Sequence, residues 1–116
     1  MSGDVQFEFV STQSFEGSAR GLLTAEDLRA LELFLLEAPR RGRVIPRTGG
    51  FRKTRFARPS RREGKRGGVR VIYYLLPRRA RIYLLLVYAK SVKDNLTREE
   101  ERQLRQIARQ LEGESS

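Results

Sequence analysis

The chain contains no cysteine and no histidine. Without cysteine there is no disulfide framework, no thiolate nucleophile and no thiolate metal site. Without histidine, acid–base chemistry falls to lysine, arginine, tyrosine, carboxylates or the substrate itself. The two absences together argue against a transition-metal site, so neither a metal nor another cofactor is expected. Long hydrophobic runs are missing as well. The longest, 72–76 and 82–89, fall far short of the roughly 20 residues that cross a bilayer. The first residues lack the basic start and apolar stretch of a signal peptide. The expectation is a soluble cytoplasmic protein with no membrane partner. Acid is scarce in one place above all: residues 39–93 hold 18 of the 24 Lys and Arg but only one of the 14 acidic residues, Glu63. That segment carries +17 and the remainder −7, giving the net +10. So lopsided a field on a scaffold that is 39% hydrophobic points to a polyanionic partner.

What is present predicts a small α+β domain spanning residues 1–116, with a twisted, mainly antiparallel sheet and helices packed on one face. Val5–Val10 alternates with period two and reads as a strand. Ser11–Gly21 reads as a connection with a short helix. Thr24 is an N-cap with Asp27 three residues on. Leu28, Leu31, Phe34, Leu35 and Ala38 then form one helical stripe, which Pro39 ends. Phe51–Phe56, Gly68–Leu76 and Arg81–Ala89 read as strands, the last two joined by the turn 77–80. Both of these are apolar on both faces and belong in the sheet centre. Thr97 and Glu100 form a second capping box for a final helix striped by Leu104, Ile107, Ala108 and Leu111.

Side chains alternate across a strand. Lys53 and Arg55 share a face with Phe51; Arg70 shares one with Ile72 and Tyr74; Lys90 continues the series Tyr88, Leu86, Leu84, Ile82. With helices on one face, the other gathers Lys53, Arg55, Arg70 and Lys90 as a phosphate-binding, charge-stabilising cluster, although parity alone does not fix register. A single edge cation is more simply a solvated gatekeeper. Arg70 is different, because it begins a strongly apolar strand where a lone cation is costly without an anionic ligand.

The basic loop 57–68 brings Arg58, Arg61, Arg62, Lys65 and Arg66 beside that face. Together with Arg52 and Lys93 these are the expected contacts to a nucleic-acid backbone. Gly64–Gly68 lacks the spacer and the Lys-Ser/Thr ending of a nucleotide-binding phosphate loop. Tyr74 and Tyr88 share parity with Arg70 and Lys90 and are candidates to stack on bases, whereas Tyr73 and Tyr83 are assigned to packing.

Pro39–Gly42, Gly49–Arg55, Gly64–Tyr74 and Tyr88–Lys90, followed by the Leu96-Thr97-x-x-Glu100 helix start, together resemble the RelE/HigB-type toxins of bacterial type II toxin–antitoxin systems, in the RelE/ParE superfamily. The resemblance covers about residues 24–111. It implies a RelE-like fold and a ribosome-dependent endoribonuclease that cuts mRNA, an mRNA interferase that inhibits translation. There the substrate's 2′-hydroxyl attacks the adjacent phosphate, and Lys and Arg stand in for histidine. By resemblance, Lys53 and Arg55 match the two cations of one sheet strand, Arg70 the arginine that holds the scissile phosphate, and Lys90 the last-strand cation. The chain departs from some members in carrying Ser91 after Lys90 and Thr97 where a tyrosine serves as acid or stacking group; Lys93, Lys90 or ribosomal RNA then remain as proton donors. Implied partners are the ribosome and mRNA, and a cognate antitoxin of helix-turn-helix, HigA-like type, through which alone the toxin meets operator DNA. The competing reading is a non-catalytic RNA- or DNA-binding module, and a third is a protein that binds acidic partners by charge alone.

Overall fold

The computed structural model describes residues 6–64, 67–89 and 95–113. The elements run β1 (Glu8–Ser11), α1 (Gln13–Ala19), α2 (Ala25–Glu37), β2 (Arg43–Val44), β3 (Arg52–Phe56), β4 (Val69–Leu76), β5 (Arg81–Ala89) and α3 (Arg98–Gly113), with a 3-10 turn at Pro77–Arg79 between β4 and β5. Five strands form one sheet in the order β1-β5-β4-β3-β2. β1 runs parallel to β5 and the other pairings are antiparallel. The α+β class and the mainly antiparallel sheet agree with the sequence pattern, as do the central positions of β4 and β5.

The helices differ from expectation in one respect: they occupy both faces. Phe15 of α1 and Leu31 and Leu35 of α2 pack with Val69, Val71, Tyr73, Ile82, Leu84 and Val87. Leu104, Ala108 and Leu111 of α3 pack on the opposite side with Ile72, Tyr74, Leu76, Tyr83, Leu85 and Tyr88. Two central strands that are apolar on both faces need cover on both.

Both helix starts form as their sequences predict. The Thr24 side chain accepts from Asp27 N and the Asp27 carboxylate accepts from Thr24 N, each at 3.0 Å. Thr97 and Glu100 repeat the arrangement at α3, at 3.1 and 2.8 Å.

β5 carries one extra residue. Ile72 pairs with Leu86 but the next residue, Tyr73, pairs with Leu84, leaving Leu85 opposite nothing. Such a bulge turns two successive side chains to the same side, and both Leu85 and Leu86 join the α3-side cluster. The series Tyr88, Leu86, Leu84, Ile82 is therefore split, with the first two on the α3 face and the last two on the other. α1 satisfies the polar groups that the bulge disturbs. Thr12 Oγ1 donates to the carbonyls of Leu84 and Leu85, both at 3.2 Å, and Ser18 Oγ accepts from Val87 N at 3.1 Å.

The basic loop after β3 is built around acid rather than left free. Arg58, read from sequence as a nucleic-acid contact, is only 6% exposed. Its guanidinium is committed to Glu63 and to the Leu22 carbonyl, and its backbone N–H also reaches Glu63. Glu63 additionally accepts from Gly68 N. A second anchor is Asp27, which accepts from Ser60 N and Oγ at 3.0 and 2.6 Å. Burial pushes the Asp27 carboxyl up, but the hydrogen bonds from Ser60 and Thr24 outweigh it and hold it below its ordinary value. The lone acid of the basic segment thus closes its longest loop.

The hydrogen bonds from Arg58 hold the Glu63 pKa down, from 4.5 to about 2, against the opposing effect of burial. A carboxylate depressed in the folded state stabilises above its unfolded pKa, and that contribution is lost as pH falls through the folded value. A depression of this size corresponds to about 3 kcal/mol. Glu63→Gln should lower urea stability by about that amount at pH 7. The difference from the wild type should shrink between about pH 5 and pH 2 in urea melts taken across that range.

Candidate functional site

Three of the four cations expected on a helix-free face, Lys53, Arg55 and Arg70, do share one face, but it is the face on which α3 packs; the fourth, Lys90, lies outside the described residues. In register, Arg55 lies opposite Arg70 and Arg70 opposite Tyr88. These three form a rung across β3, β4 and β5. The next rung on the same face is Arg43, Lys53, Ile72 and Leu86, running from β2 to β5. Beyond it the face becomes core: Phe51 packs edge-on against Tyr74 with ring centroids 5.0 Å apart, and α3 covers both.

Two like-charged pairs thus face each other across strands, Arg43 with Lys53 and Arg55 with Arg70. Like charges directly opposite each other destabilise a sheet. Arg55 is exposed, and Lys53 and Arg70 are half-buried. Arg70 Nη1 is buried and makes no hydrogen bond among the described residues. A buried donor with no acceptor costs about 1–3 kcal/mol. An oxyanion resting on this rung would relieve both the repulsion and the missing hydrogen bond.

The neighbouring residues hold the site's frame. Tyr73, on the other face, donates to the Pro39 carbonyl at 2.7 Å and accepts from Gly42 N at 2.9 Å. A Cβ on Gly42 would sit 2.9 Å from the Tyr73 ring, so only glycine fits there. Arg52 donates to the carbonyls of Gly42 and Arg40 at 2.8 and 3.2 Å. Arg52, expected as a nucleic-acid contact, thus also clamps the 39–42 turn behind β3. At the start of α3, Arg47 forks onto Glu101 at 2.8 and 3.0 Å. The bond from Arg47 holds the Glu101 carboxyl below its ordinary range. It accompanies a left-handed backbone at Arg47, with φ 66°, which a non-glycine residue adopts only when its surroundings enforce it.

Tyr74, expected to stack on bases, is 5% exposed and donates to Glu112 at 2.6 Å. Burial first, then that bond, pushes its hydroxyl up to about 12. It is a core residue. Tyr88 is also buried, at 8%, but stands at the end of the cationic rung. Arg61 and Arg62 are exposed on the loop that Glu63 and Asp27 anchor. Lys65, Arg66, Lys90 and Lys93 lie outside the described residues. Sequence reasoning did not single out Arg43, whose two-residue strand has no periodicity to detect, or Arg47.

A model of the family described as the RelE toxin of the RelE/RelB toxin–antitoxin system matches residues 39–116, which include β2 to β5 and α3. The chain belongs to the RelE toxin family. A solved structure of a mutant of the Escherichia coli toxin RelE in its free state shares the fold, with a TM-score of 0.53 over 78% of this chain and 90% of that one. The two sequences are 14% identical, so the likeness speaks for the fold, and the family match for a toxin of a toxin–antitoxin module. Both cationic rungs of this RelE-family toxin fall inside the matched segment. No helix among the described residues is long and apolar enough to cross a membrane.

Arg70→Met keeps the apolar stem and removes the unsatisfied donor. The variant should unfold at an unchanged or higher urea concentration, with a gain of up to about 1 kcal/mol. If the rung seats an RNA phosphate, the variant should also bind single-stranded RNA more weakly, and the slope of log affinity against log salt should fall in magnitude by about 0.7. A variant that is both less stable and unchanged in salt slope would mark Arg70 as a structural cation.

Proposed function

We propose that this RelE-family toxin is a ribosome-dependent endoribonuclease that cuts mRNA, acting in the cytoplasm and neutralised by a cognate antitoxin. The observation that carries the reading is the Arg55–Arg70 pair, with Arg70 Nη1 buried and without a hydrogen bond among the described residues. Preorganised cations of this kind favour a species with more negative charge than the ground-state phosphate, which is the condition for lowering a barrier.

The chemistry follows from the substrate. The 2′-oxygen of one nucleotide attacks the adjacent phosphorus and the bond from phosphorus to the 5′-oxygen breaks. The products are a 2′,3′-cyclic phosphate and a free 5′-hydroxyl. Extra charge develops on the non-bridging oxygens, where Arg70 and Arg55 stabilise it. The 2′-hydroxyl gives up a proton and the leaving 5′-oxygen takes one. Lys53, on the rung next to the phosphate seat, is the described side chain best placed for one transfer, and Lys90 or Lys93 supplies the other. Arg61 and Arg62 hold backbone phosphates further along the strand. An antitoxin of helix-turn-helix, HigA-like type offers acid to the same face, and contact with operator DNA runs through it.

The competing reading, a toxin that binds RNA without cutting it, differs in one outcome. Primer extension on messages from cells expressing the protein briefly should show discrete cuts within translated frames. Arg70→Ala should remove them, with a loss of at least about a hundredfold in cleavage, while the variant still cosediments with ribosomes. Intact messages beside a soluble, ribosome-bound wild type would overturn the cleavage reading in favour of binding alone.

A further inference from the structure

Two depressions on the α3 face meet at Leu96. One is a cleft of about 470 Å³ whose lining includes Arg43, Arg47, Lys53 and Glu101. The other is a smaller pocket of about 160 Å³ with Ile72, Leu85, Leu86 and Leu104 in its wall and Gln103 at its rim. The first is rich in cations and the second is apolar. A nucleotide is divided the same way, between a charged backbone and a planar base with apolar faces.

The pocket owes its wall to the β5 bulge, which turns Leu85 and Leu86 to one side. Ile72 and Leu86 belong to the rung directly beside Arg70 and Tyr88. That step along the strand is about 6.6 Å, within the span of one nucleotide from phosphate to base. At about 160 Å³ the pocket is well below the roughly 300–1,000 Å³ of a site for a whole small molecule, and it suits one ring system. Gln103 is exposed and, among the described residues, its side chain makes one marginal contact, 3.5 Å to Glu99. Its amide offers two donors and an acceptor. Glu100 also lines the pocket, but its carboxylate holds Thr97 N at the helix cap.

We infer that this pocket receives one unstacked base of the single-stranded RNA whose phosphate rests on the Arg55–Arg70 rung, and that Gln103 reads that base's edge. The inference takes the identity of the strand from the RNA-cleavage reading. Apolar walls grip the faces of a splayed base while a side-chain amide selects among edges, a division of labour common in single-strand recognition. Gln103 is then a specificity residue and not a catalytic one. The alternative occupant, an apolar side chain from a protein partner, would leave RNA binding indifferent to this pocket.

The test uses short 2′-O-methyl RNA, which binds without being cut, with one base removed at a time. Wild-type protein should lose about tenfold in affinity when a single position is made abasic and little elsewhere. Leu86→Trp fills the pocket and should abolish that positional loss. Gln103→Ala, an exposed change that spares the fold, should flatten the preference among the four bases at that position by about tenfold. A flat abasic scan, or an unchanged base preference in Gln103→Ala, overturns the inference. Cutting of translated messages, followed on the same proteins, reports separately on the cleavage reading. Cuts with a flat scan remove the pocket alone, whereas a positional loss without cuts upholds the pocket and removes the cleavage.

Discussion

The extra residue at Leu85 decides which side chains of β5 meet the cationic strands. Up to Leu84 the strand alternates in one phase, and from Leu86 onward in the other. Because of that reversal Tyr88 faces the α3 side beside Arg70, and Leu85 and Leu86 together wall an apolar pocket next to the same rung. The bulge is held by Thr12 and Ser18, which bond the disturbed backbone groups from the opposite face. Bulges recur next to active sites because they re-aim side chains without ending a strand. Here one inserted residue joins α1, the sheet and the candidate site into a single arrangement.

The second constraint is electrostatic. Residues 39–93 carry 18 cations and one acid. The acid, Glu63, is spent on Arg58 in the interior of the loop, and Asp27 reaches in from α2 to hold the same loop. On the sheet face the strand register sets Arg43 across from Lys53 and Arg55 across from Arg70. Folding stability is thus secured at the loop, while the rung above it sets Arg55 directly across from Arg70. Such local conflict, surviving in an otherwise consistent fold, is expected where a ligand completes the structure.

Much of this was legible in the chain. The capping boxes at Thr24/Asp27 and Thr97/Glu100 are local, and local signals survive folding intact. Strict alternation placed Lys53, Arg55 and Arg70 on one face, because β3 and β4 run regularly over those residues. The same rule failed on β5, where no residue type announces the bulge. Arg58 was misjudged because a guanidinium in a basic loop looks solvated, and only the tertiary fold shows Glu63 and the Leu22 carbonyl closing on it. A lone acid among so many cations was the available signal of an internal pair. The two-sided placement of helices was written in β4 and β5 as well, since strands apolar on both faces cannot leave one uncovered. The pocket beside the rung, by contrast, is a product of packing among β4, β5 and α3 and has no counterpart in local sequence.

The central claim is that the Arg55–Arg70 rung is a seat for one RNA phosphate. The most direct measurement follows the guanidinium N–H resonances of the arginines by nitrogen-15 NMR while an uncleavable single-stranded RNA is titrated in. The account predicts that the Arg70 and Arg55 signals shift and sharpen first, at the lowest RNA concentrations, and that Arg58, already locked to Glu63, does not move. Shifts confined to the exposed Arg61 and Arg62, with Arg70 unchanged at saturation, would contradict it.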